Sequence, residues 1–154
     1  MLEQVCNFIH NYFEWERHEG TFTVGGGSLE LPFLLEGQRF RILGSALNDG
    51  IYTYSANGIH DDDNNDGVQL YNETFTGVIV GMAVPKVVLD LVGEINTWCA
   101  ANADALNSPY SSESFGGYSY QKASGTGANG AAGSGAFTWQ DMFRSRLNAY
   151  RKIA

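Results

Sequence analysis

Taking Asp62 as its first residue, the stretch DDDNNDGVQLYNE places Asp62, Asn64, Asp66, Gly67 and Glu73 at positions 1, 3, 5, 6 and 12 of a calcium loop. Oxygen ligands at that spacing suit a hard cation, and the glycine gives the sharp turn between them. An EF-hand loop, however, joins two helices and carries a branched apolar residue at position 8 that pairs with a sister loop. Here the flanks read as strands, position 8 is Gln69, and only one copy exists. A polar β-turn carrying solvated acids is the better reading, so no metal site is assigned. Calorimetry with calcium tests the remaining idea of weak, millimolar binding at the acidic loop.

The other residues capable of chemistry are scattered. His10, His18 and His60 have neither HxH nor HExxH spacing. His10 on the first helix suits a surface or interface position better than a base. Cys6 and Cys99 lie 93 residues apart, each on the apolar stripe of a predicted helix, which favours buried free thiols over a disulfide or metal pair. VGGGS and SGTGANG lack the Gly-Lys-Ser/Thr ending of a phosphate loop, and the serines of SPYSSES lack a Gly-x-Ser-x-Gly elbow. No catalytic residue and no cofactor are assigned, and the expectation is a protein that is not an enzyme.

The elements around these residues have clearer signals. Leu2, Val5, Cys6, Ile9, Tyr12 and Phe13 recur at helical spacing and predict an amphipathic helix that ends near Gly20. Between 21 and 82, strands are predicted in TFTV, SLELPF, RFRILGS, IYTYSA, GVQLY and FTGVIVGM, with Asn48-Asp49-Gly50 as a strong hairpin turn. Six short strands suggest a small antiparallel sandwich or barrel. Val84, Val87, Val88, Leu91, Val92, Ile95, Trp98 and Cys99 then predict a long central helix with Pro85 as its first residue and Lys86, Asp90, Glu94 and Thr97 opposite.

After Pro109 the chain reads as extended and aromatic, and 124–135 reads as a glycine-rich linker. The segment 137–154 closes with a helix: Thr138 caps it, Asp141 completes a capping box, and Phe137 with Met142 fits a hydrophobic staple. Trp139, Phe143, Leu147 and Tyr150 line one side, and Arg144, Arg146, Arg151 and Lys152 make it basic. Such a helix either docks back on its own core or reaches a neighbouring subunit or acidic partner. The fold class is therefore α+β, as one domain over 1–154 with a β-rich insert at 21–82.

At 154 residues the chain is long enough for a real core, and 44% hydrophobic content argues against disorder. No apolar run is long enough to span a bilayer, and MLEQVCNFIHNYFEWER lacks the pattern of a secretory leader, so synthesis in the cytoplasm and no membrane partner are expected. Residues 1–136 carry 5 Lys and Arg against 16 Asp and Glu, a balance of −11, while 137–154 carry 4 against 1, a balance of +3. An acidic body does not grip nucleic-acid phosphates.

Five blocks, IHNYFE, GQRFRILGSALNDGIYTY, NETFTGVIVGMAVP, SPYSSESFGGYSYQKA and TWQDMFRSRLNAYRKI, together resemble the head-tail connector (adaptor, neck) proteins of long-tailed phages and prophages, in the same order over nearly the whole chain. The resemblance implies a virion protein made in the host bacterial cytoplasm. It would form a ring beneath the portal, dodecameric if it follows portal symmetry, and join the portal to the next neck or tail protein. Genome DNA would pass through without specific binding, helped by acids that repel phosphate. The partner contacts expected on this reading are Trp139, Phe143, Leu147 and Tyr150 as apolar anchors, with Arg144, Arg146, Arg151 and Lys152 as charged ones. Such adaptors are largely helical, and the sixty-odd residues of predicted strand depart from that pattern. A tail-terminator or tail-completion ring is an alternative within the virion. From another class, a calcium-dependent or carbohydrate-binding β module would use the acidic loop with Tyr52 and Tyr54.

Overall fold

The computed structural model describes residues 1–61, 67–107, 112–115, 118–121 and 138–153. The chain is α+β. It begins with α1 (Leu2–Ile9) and continues through β1 (Glu14–Val24), β2 (Arg39–Leu43), β3 (Gly50–Ser55), β4 (Gly58–Asp61), β5 (Gly67–Val68) and β6 (Glu73–Met82). There follow α2 (Lys86–Ala101), α3 (Ala103–Asn107), the strands β7 (Ser112–Phe115) and β8 (Tyr118–Gln121), and α4 (Trp139–Leu147) with a 3-10 turn at Asn148–Tyr150.

The first helix is shorter than its apolar spacing suggested. Leu2, Val5, Cys6 and Ile9 are its buried stripe, but it stops at His10, which adopts a left-handed conformation with φ 54°. The amides of His10 and Asn11 turn back to the carbonyls of Asn7 and Cys6, closing the last turn in the manner usually assigned to glycine. Beyond it, EWERHEGTFTV alternates, and β1 runs eleven residues antiparallel to β6. Ladder pairing along the whole of β6 outweighs the helical spacing of Tyr12 and Phe13.

The six strands form one open antiparallel sheet in the order β1-β6-β2-β3-β4-β5. Five of them have four residues or more, and the two-residue β5 extends the edge. β1 and β5 are the ends of the sheet, which does not close as a barrel. The β2–β3 hairpin stands where Asn48-Asp49-Gly50 predicted it. SLELPF is not a strand: Pro32 interrupts it, and the loop lays Leu29, Leu31 and Leu34 over Phe40, Ile42, Ile59, Phe75 and Ile79 as a lid on one sheet face. GVQLY contributes only Gly67–Val68, and β4 was not anticipated.

The opposite face receives the helices. Ile51 and Met82 of the sheet join Leu2, Val5, Cys6 and Ile9 of α1, Leu91, Val92 and Ile95 of α2, and Trp139, Phe143 and Leu147 of α4 in a second core. Pro85, read as the first helical residue, is instead the extended cap of α2 at φ −60° and ψ 140°. Val87, counted with the apolar register, is 47% exposed. Cys6 and Cys99 form no disulfide; Cys6 is buried and Cys99 half-buried, and burial raises the Cys99 thiol above its usual range. β2 pairs with β6 only as far as Val78, leaving the far half of β6 paired with β1 alone. The departure needs glycine: a side chain at Gly77 would lie 2.1 Å from the Leu43 carbonyl oxygen, and Gly44 sits alongside at φ 88°.

Candidate interaction surfaces

The residues expected to contact partners divide into a buried set and an exposed set. Trp139 and Phe143 are 8% exposed and Leu147 is fully buried, all three within the helical core of their own chain. Trp139 meets Phe8 edge to face at 5.6 Å, and Tyr150 packs at the margin. Of the two arrangements open to the closing helix, this structure has the docked one. Thr138 caps it as expected, its Oγ1 accepting from the Asp141 amide at 3.3 Å and donating to the Asp141 carboxylate at 2.7 Å. These bonds, the Thr138 one first and Arg144 second, hold the Asp141 carboxyl below its ordinary value. Phe137, the other half of the expected staple, lies outside the described residues, as do 122–137 with the glycine-rich tract.

The cations play different parts. Arg146 grips Glu94 of α2 with two bonds of 2.5 and 2.8 Å, fastening α4 to α2 and depressing the Glu94 carboxyl. Arg144 pairs with Asp141. Arg151 and Lys152 are exposed and have no carboxylate partner among the described residues.

Lys152 nevertheless has its backbone fixed. Its amide donates to the Ile9 carbonyl at 3.0 Å, and Asn11 Nδ2 donates to the Tyr150 carbonyl at 2.9 Å, so the chain leaving α4 is strapped over the end of α1. Around that strap a cleft of about 400 Å³ is lined by His10, Asn11, Tyr12, Phe13, Glu14 and Lys152. Its wall is strained, because Phe13 as well as His10 has positive φ, at 50° and 54°. The Asn11 side chain accepts from the Phe13 amide, and the Phe13 carbonyl accepts from the Ala83 amide at 2.8 Å, which together hold the corner. Arg41 stacks 3.8 Å from the centre of the Tyr12 ring, and the Tyr12 hydroxyl donates to Asn7 Oδ1. Burial raises the Tyr12 hydroxyl above its usual value, with Arg41 opposing.

At the other end of the β1–β6 pair, Glu73 does something its place in the calcium pattern did not suggest. Its carboxylate accepts from Ser45 Oγ at 2.6 Å, the amides of Ala46 and Leu47 at 2.9 and 3.3 Å, and Asn48 Nδ2 at 3.0 Å. These donors, Ser45 first, hold its carboxyl below the ordinary value. Asn48, only 2% exposed, also donates to the Tyr71 carbonyl and accepts from the Tyr71 amide, both at 2.9 Å. Asp49 Oδ1 accepts from the Ser45 amide at 2.8 Å, and the Tyr52 hydroxyl donates to the Asn48 carbonyl at 3.0 Å. The turn is thus fastened from several directions; Leu47 on it is 57% exposed, and Tyr71, bonded to it through Asn48, is 68% exposed. Sequence reasoning missed this surface. The nearest signal was Asn48-Asp49-Gly50, which announces a turn but not the carboxylate 25 residues later that clamps it.

Residues 62–66, the heart of the calcium pattern, lie outside the described residues. Among the described residues no group of three or more His, Cys, Asp or Glu is placed to hold a metal ion, and no helix is long and apolar enough to cross a membrane. His18 stacks on Phe33 at 3.8 Å, with its Nε2 3.3 Å from a Glu16 carboxylate oxygen but outside hydrogen-bond geometry. No family model matches the chain, and comparison with curated proteins and with solved structures finds no match.

Proposed function

We propose that this protein is a structural, non-enzymatic component of a phage neck, a connector that forms a ring between the portal and the next neck or tail protein. The reading rests on the five resembling sequence blocks, in one order over nearly the whole chain. The first, third and last of the resembling sequence blocks meet at a single junction, through the Lys152–Ile9, Asn11–Tyr150 and Ala83–Phe13 hydrogen bonds. Residues as far apart in the chain as Ile9 and Lys152 build one corner of one core. In this reading the six-stranded sheet is an addition to the helical unit, and the acidic balance of residues 1–136 keeps passing DNA from sticking.

The buried set, Trp139, Phe143 and Leu147, then stabilises each subunit, while Arg151 and Lys152 remain for contact with a neighbour or the portal. Ring size follows the portal in this proposal and is dodecameric if the portal is. Quantitative mass spectrometry of purified particles tests it: a ratio to the portal protein near one to one is expected. Absence of the chain from the particles sinks the proposal, and a ratio matched to the tail tube end instead would favour a tail-terminator ring.

A further inference from the structure

The two surfaces just described lie at opposite ends of one structural feature. The β1–β6 ladder runs from Glu14 opposite Met82 to Val24 opposite Glu73. Ten residues of antiparallel strand span roughly 30 Å. At the Glu14 end are the strained cleft, Arg41 on the Tyr12 ring, and the exposed Arg151 and Lys152. At the Glu73 end is the clamped turn with Leu47 and Tyr71.

Charge divides in the same way. The segments 20–31, 44–50 and 69–77 build the Glu73 end and contain three acids, Glu30, Asp49 and Glu73, with no Lys or Arg. The segment 144–153 contains four cations and no acid, and the side chains of Arg151 and Lys152 have no carboxylate partner among the described residues. Three acids stand at this end, Glu14, which lines the cleft and is paired with Arg17 at 3.2 Å, Glu3, which acts on Tyr12, and Glu16, against Arg17, Arg41, Arg151 and Lys152. One end therefore projects an apolar knob with acids around it. The other offers a cleft with an aromatic wall and basic neighbours, and Ile153 beside it is 90% exposed.

We infer that the Glu73-clamped turn of one copy, with Leu47 and the adjoining Tyr71, docks in the cleft lined by residues 10–14 and Lys152 of a second copy. The contact joins unlike surfaces from opposite ends of the subunit, so in a pair one copy keeps a free cleft and the other a free knob. Repetition generates a closed ring or an open filament according to the rotation between copies. The clamp has a purpose on this account: a knob fixed before contact loses little entropy on docking. Leu47 and Tyr71 supply the apolar centre, and Lys152 and Arg151 supply the rim that sets register and rejects the reverse orientation. The inference deepens the connector reading, from which it takes only the need for a second copy.

Mixed-variant cross-linking tests the pairing. In a Cys99→Ser background, copies bearing Leu47→Cys are mixed with copies bearing His10→Cys under mild oxidation; both positions are exposed, so neither change should disturb folding. A disulfide-linked dimer in the mixture, with little in either variant alone, is expected. In sedimentation of the otherwise unmodified chain, Leu47→Asp and Lys152→Glu should each weaken self-association by about tenfold or more. Association that persists unchanged in both variants overturns the pairing but leaves a ring built on other surfaces. A chain that shows neither association nor cross-linking at any concentration also overturns it. The connector reading stands or falls separately, on whether the chain is present in particles.

Discussion

Glu73 illustrates how one carboxylate organises an exposed turn. Its folded pKa lies below the ordinary value, so the stabilisation it gives is complete above the unfolded carboxyl value of about 4.3 and is lost as pH falls through the folded one. Thermal melts of Glu73→Gln should therefore lie below the native protein at neutral pH and converge with it in acid. Melts that stay parallel across the carboxylate range would assign the turn to other bonds. Asn48→Ala removes the buried side chain that bonds both backbone groups of Tyr71 and should cost about 1–3 kcal/mol in urea unfolding. His10 is the converse case. An exposed histidine holds the left-handed closing position of α1, where glycine has no Cβ penalty. His10→Gly should raise stability by about 1 kcal/mol, and a loss would mean the imidazole contributes more than its backbone strain costs.

At the scale of elements, α4 is held by its apolar stripe rather than by its charges. Leu147→Ala should destabilise the chain by about 2–5 kcal/mol, by the same amount at every protein concentration because the contact is internal. A loss that changes with protein concentration would show that the helix packs on another copy. Both α2 and α4 were legible in the sequence, because Val88, Leu91, Val92 and Ile95, and Trp139, Phe143 and Leu147, repeat at helical spacing and are the buried positions. The start of β1 was hidden, since Tyr12 and Phe13 continue the spacing of Leu2, Val5 and Ile9 and only the pairing with β6, Glu14 opposite Met82, decides the matter. SLELPF was misread for a similar reason: its leucines are buried as a strand's would be, but they cover the sheet instead of joining it. The cleft and the clamped turn left no periodic trace, because each is assembled from segments far apart in the chain.

Across the whole molecule there are two cores with very different chain paths. The core under the 29–34 loop draws its buried residues from Val24 to Ile79. The helical core needs Leu2 and Leu147 together. During synthesis, at about 5–20 residues per second, the first core has all its members several seconds before the last helix of the second emerges. In that interval Val5, Ile9, Leu91 and Ile95 have no Trp139, Phe143 or Leu147 to cover them. The nascent protein thus carries a finished sheet and an uncovered pair of helices, and a ribosome stalled before residue 138 would leave a chain that folds in one half and clings to chaperones through the other.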